Sequence, residues 1–127
     1  MFLTADQIFA ADDLPHEDVY VPEWRGNVRI RRMGAADKWR TELAILRDKE
    51  ANGEDAALAR TAARWVVASA INEQGEKLFK PDDVDKLAAK CGDAVERLMR
   101  AVQRLNPTQD QAEKNSASAP QDDSSSV

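Results

Sequence analysis

The chain has 127 residues, enough for one domain with a single hydrophobic core and little room for a deep enzyme cleft beside it. Lys and Arg number 18 against 23 Asp and Glu, a net charge of −5, and the 43% hydrophobic content suits a soluble, mildly acidic globular protein. One cysteine, Cys91, excludes an internal disulfide and suits a reducing cytosol; the first residues lack the basic and long apolar segments of a signal peptide, and no run of about 18 apolar residues offers a membrane span.

Thr4-Ala-Asp-Gln7 reads as a capping box, with Leu3 and Ile8 at the spacing of a hydrophobic staple. It predicts a short helix that Asp12, Asp13 and Pro15 terminate, an anchor more than a site. Residues 18–32 read as a β-hairpin, because Asp18 to Trp24 and Val28 to Arg31 alternate around Arg25-Gly26-Asn27, which is expected to supply positive-φ turn residues. A period of two puts Val19, Val21, Val28 and Ile30 on one face, and Tyr20, Trp24, Arg29 and Arg31 are expected to share the other. Pro22 has no amide donor, so the first strand should be an edge. A lone hairpin is marginal in water, so its valine face must pack on helices or its free edge must accept a strand from another chain.

Four further helices are expected, over about 35–51, 54–73, 81–90 and 92–105. In the first, Trp39, Leu43 and Leu46 recur at helical spacing. The second carries a stripe of Leu58, Ala62, Trp65, Val66 and Ser69, with Arg60 and Arg64 away from it. Pro81 with Asp82 and Asp83 suits a helix start, and Val95, Leu98, Met99, Val102 and Leu105 mark the last helix. Residues 107–127 hold almost nothing apolar beyond alanine and are expected to be disordered. The fold class is therefore α+β, mainly α: a capped short helix and a hairpin packed on about four helices within residues 1–106.

The residues offer no catalytic constellation. His16, the only histidine, sits in an acidic stretch beside Pro15, and Cys91 at a helix junction reads as packing material. An EF-hand placed on Gly75 puts Ala70 and Pro81 where carboxylates are required, and one Cys with one His cannot complete a zinc site. No cofactor or metal is expected. Arg25, Arg29, Arg31 and Arg32, with Lys38 and Arg40, could with Tyr20 and Trp24 form a nucleic-acid surface, which makes a small nucleic-acid-binding regulator the alternative reading. Six acids and no Lys or Arg within residues 1–24 favour neutralisation of that basic strand inside the molecule. Trp39 and Trp65 read as core residues first and partner contacts second.

Val19-Tyr-Val-Pro-Glu-Trp-Arg-Gly-Asn-Val-Arg-Ile-Arg31, preceded by Leu3 to Ile8 and followed by Gly75 to Phe79, Asp83-Val84, Leu87 and Leu98 to Asn106, resembles the phage tail assembly chaperone family in content and order over about residues 1–115. The resemblance implies a non-enzymatic protein of the host cell cytoplasm, absent from the mature virion. Such a protein coats the tape measure protein, brings tail tube protein to it, and can form homo-oligomers. It further implies a longer product made by a minus-one frameshift, whose extension recruits the tube protein; Glu113-Lys114-Asn115 can be encoded by a slippery heptamer, with Ser116 to Val127 replaced. Tyr20, Val21, Trp24, Arg29, Arg31 and Trp39 are the expected partner contacts.

Overall fold

The computed structural model describes residues 1–108; the slippage site and nearly all of the expected disordered tail lie outside the described residues. Helix α1 (Ala5–Ala10) opens the chain, and its capping box is formed: Gln7 N donates to Thr4 Oγ1 at 3.2 Å and Thr4 N donates to Gln7 Oε1 at 2.9 Å.

Strands β1 (His16–Val21) and β2 (Gly26–Arg31) pair antiparallel with Val19 opposite Val28 and Asp18 opposite Arg29. Cross-strand partners point to the same side. Val19, Val21, Val28 and Ile30 therefore share one face, whereas Asp18, Tyr20, Arg29 and Arg31 share the other. Between the strands, Pro22–Trp24 forms a 3-10 turn that closes on Arg25, whose φ of 55° is the positive-φ position expected of the turn; neither Gly26 nor Asn27 takes that role. The turn also redirects Trp24, which packs against the core instead of joining Tyr20 on the open face.

Helix α2 (Ala35–Asn52) and helix α3 (Glu54–Ser69) are joined by Gly53 alone. Its φ of 89° and ψ of 168° lie in a region that essentially only glycine occupies. A Cβ there would meet nothing within 4 Å, so Gly53→Ala should cost only backbone strain. The expected loss is about 1–3 kcal/mol, read as a lower denaturation midpoint with an unchanged slope.

The stretch expected to finish the second long helix does something else. After Ser69 the backbone extends into strand β3 (Ala70–Ile71), which pairs antiparallel with β2 and completes a sheet of order β1-β2-β3. Residues 72–76 then turn back: Asn72 Oδ1 accepts from the amides of Gln74 and Glu76, both at 2.9 Å, and Gly75 has a φ of 83°. A second 3-10 turn, Pro81–Asp83, leads into helix α4 (Val84–Ala88), shorter than the expected 81–90, and helix α5 (Gly92–Leu105) follows.

The mainly helical chain thus carries a small three-stranded antiparallel sheet, with five α-helices among the described residues. Its core lies between the valine face of the sheet, α3 and α5, where Val21, Ile30, Val66, Leu98 and Ala101 are fully enclosed. Glu17 and Glu23 fasten the hairpin to α5, pairing with Arg104 at 2.5 Å and Arg97 at 2.9 Å. Leu58, expected in the core stripe of α3, is instead 72% exposed.

Candidate interaction surface

Helix α2 is the element on which the sequence and the structure differ most. Trp39, Leu43 and Leu46 share one face of it, and that face looks outward, with exposures of 62%, 45% and 56%. The two buried residues of α2 are the polar Thr41 and Asp48. Trp39 and Thr41 stand two residues apart, as do Leu46 and Asp48, which is about 200° around a helix. The apolar stripe therefore runs along the side opposite the protein body.

The reason lies on α3. Arg60 and Arg64 do not point away from the α2–α3 contact; they converge on Asp48. Arg60 donates from Nε at 2.8 Å and from Nη2 at 2.5 Å, a bidentate pair, and Arg64 Nη2 adds a contact at 3.2 Å. Asn52 Nδ2 donates to Oδ1 at 2.8 Å. A carboxylate with four donors is stable out of water where an unpaired one is not, and the Arg60 guanidinium, with Asn52 beside it, holds the Asp48 carboxyl well below its ordinary range. Thr41 Oγ1 returns its proton to the Asp37 carbonyl at 2.7 Å, so it too is buried without loss. At the start of the helix Lys77 Nζ ties Asp37 at 2.8 Å, bringing the turn after β3 onto α2.

The open face of the hairpin is less available than its composition suggests. Asp18 clamps Arg29 through two hydrogen bonds of 2.7 and 3.0 Å, which lowers the Asp18 pKa and raises that of Arg29. Arg31 donates to the Gly75 carbonyl at 3.4 Å. Intramolecular partners thus occupy the two central arginines of the basic strand, which weakens the case for a phosphate-binding surface.

Of the six expected contact residues, Tyr20 and Trp39 stand on the surface, Arg29 and Arg31 are committed to partners in the same chain, Trp24 is half-buried, and Val21 is wholly inside the core. Trp39 is not the core residue it resembles in sequence; it is exposed, with Lys38 Nζ 5.1 Å from its ring centroid. Leu43 and Leu46 were missed as surface residues. Polar Thr41 and Asp48 two turns apart, with Arg60 and Arg64 one turn apart on the next helix, were the available signal. His16 lies exposed on β1, and Cys91 is exposed at the start of α5 instead of packed. Among the described residues no cluster of three or more His, Cys, Asp or Glu could hold a metal ion, and no helix is long and apolar enough to cross a membrane.

The family model described as "Phage tail assembly chaperone" matches residues 10–115. The chain belongs to the phage tail assembly chaperone family. No curated protein sequence matches it. Among solved structures, the bacteriophage HK97 tail assembly chaperone superposes with a TM-score of 0.57 at 19% identity, covering 81% of this chain and 93% of that one. At that identity the likeness is one of fold. For this tail assembly chaperone the question that remains is which surface does the chaperoning, and the outward stripe of α2 is the strongest candidate the geometry offers.

Proposed function

We propose that the protein shields the tape measure protein by covering its apolar helical surface with the Trp39–Leu43–Leu46 stripe, and that it brings tail tube protein to the coated tape. The observation that carries this reading is the orientation of α2: a helix tied to α3 through Asp48 and buried along its Thr41–Asp48 side leaves three large apolar side chains for something else to cover. Only about half of each side chain remains to be covered, so each contributes on the order of 1 kcal/mol, a gross sum that the cost of association largely offsets. One copy should therefore bind weakly. Weak binding is what a coat needs if many copies are to hold a long helix soluble and still leave when the tube closes over it.

The same reading places the protein in the host cell cytoplasm and outside the finished particle. It assigns tube recruitment to a longer form that diverges after Asn115. Slippage there requires the codons GAA-AAA-AAC for Glu113 to Asn115, and a gene carrying GAG or AAG at those positions rules the site out.

Co-expression with the tape measure protein tests the stripe. The parent chain is expected to keep it in the soluble fraction, and the Leu43→Asp/Leu46→Asp variant to leave most of it in the pellet. Both leucines are about half exposed, so the variant should melt within a few degrees of the parent. Solubilisation undiminished in a folded variant would refute the assignment.

A further inference from the structure

The α2 stripe leaves a second apolar feature unexplained. Residues 1–14 form an arm with no buried residue in α1: Leu3 is 61% exposed, Ile8 51% and Phe9 83%. A helix of six residues does not sustain itself in water, since nucleation outweighs so few hydrogen bonds. The capping box prepares the helix, and a surface is needed to hold it.

Such a surface begins at the root of the arm. A groove of about 290 Å³ between the end of β2, α3 and α5 has Met33, Trp65, Met99 and Val102 in its walls. Methionine walls adapt to the side chain that enters. Arg32 and Lys38 line the same groove and no acidic residue does. The arm is the opposite: Asp6, Asp12 and Asp13, with no Lys or Arg. Arg32 N donates to the Pro15 carbonyl at 2.9 Å, and Met33 N donates to Asn106 Oδ1 at 3.1 Å, so the last residue before β1 is fixed beside the groove wall. Ala11 to Leu14 then form a tether that spans up to about 14 Å when extended.

We propose that the arm, residues 1–14, is a strap that closes over the Met33–Trp65–Met99 groove of its own chain, placing Ile8 and Phe9 between the methionines and its aspartates against Arg32 and Lys38. A short tether gives the arm an effective concentration in the millimolar range at its own groove, above what a second copy offers in dilute solution. The strap covers an apolar groove distinct from the α2 stripe, and any helix that enters the groove has to displace it.

Disulfide trapping in the full-length chain tests this. In a Cys91→Ser background, Ala10→Cys, which leaves Ile8 and Phe9 in place, is combined with Gln103→Cys, at the groove, or with Lys90→Cys, before the other end of α5; all these positions are exposed, so the fold should hold, as circular dichroism will verify. The groove pair is expected to form an intrachain disulfide about tenfold or more faster than the control pair, at a rate independent of protein concentration, as a tethered reaction requires. Adding Ile8→Asp should return that rate to the control value. A disulfide-linked dimer whose formation scales with concentration would assign the arm to a second copy and overturn the proposal; equal rates for the two pairs would overturn it as well.

Discussion

Val21→Asp is expected to unfold the domain. Val21 has no exposed surface and sits where the valine face of the hairpin meets the helices, in one cluster with Ile30, Val66 and Leu98. Removing the valine forfeits roughly 1.5–3 kcal/mol of apolar burial, and an unpaired carboxylate there adds several more. The sum is comparable with the 5–15 kcal/mol that typically separates a small domain from its unfolded state. The variant should lose its cooperative thermal transition and most of its helical circular dichroism at 25 °C. Tyr20→Ala, one residue away on the open face, should melt within a few degrees of the parent. On the proposed function, the pair separates two meanings of a hairpin defect: failure to keep the tape measure protein soluble in Val21→Asp would report an unfolded chaperone, whereas the same failure in Tyr20→Ala would report a contact.

That contrast marks how far the sequence could be read. The mainly helical α+β class was legible because it rests on period and punctuation: the Thr4–Gln7 box, the alternation around Pro22, and Gly53 between two helical runs each have a local physical cause. Strand β3 was not legible. Ala70 and Ile71 carry no alternation of their own and continue a helical apolar pattern; only the neighbouring edge of β2 makes them a strand.

Helix α2 exposes a deeper limit. The spacing of Trp39, Leu43 and Leu46 identifies residues that share a face, and it cannot say whether the chain itself covers that face. If the domain covers another polypeptide, as proposed, the two possibilities diverge at that surface. The stripe that reads most like core in α2 is then the part the fold leaves open, and the polar residues that read like surface are the ones buried. Trp39, expected both as core and as a contact, illustrates it: a large aromatic at helical spacing fits either role until the partner of the helix is known. Val21 is the converse, a residue that strand alternation had already assigned to the valine face and that leaves no surface for a partner.

Asp48→Asn is expected to release α2 while the rest of the domain stays folded. Helix α2 packs chiefly on α3, and the side chains it buries there are Thr41 and Asp48. An amide in place of the carboxylate keeps the volume but removes the charge that Arg60 and Arg64 share, and Arg64 Nε is already buried without a partner. Loss of a charge-assisted bond shifts a local opening equilibrium by about tenfold or more. Amide exchange in α2 should accelerate by that factor, while exchange in α5 stays near the parent rate.

The pH dependence follows from the same carboxyl. Its pKa in the folded chain is depressed below the ordinary value of 3.8, so the stabilisation is fully present above that value and is lost as pH falls through the folded-state pKa. In the parent, α2 should hold its protection from neutral pH down to about pH 4 and lose it progressively below. In Asp48→Asn this component of the acid transition should be missing, because nothing at position 48 titrates. If exchange in α2 were unchanged by the substitution, the helix would be held by something other than Asp48, and its outward stripe would need another cause.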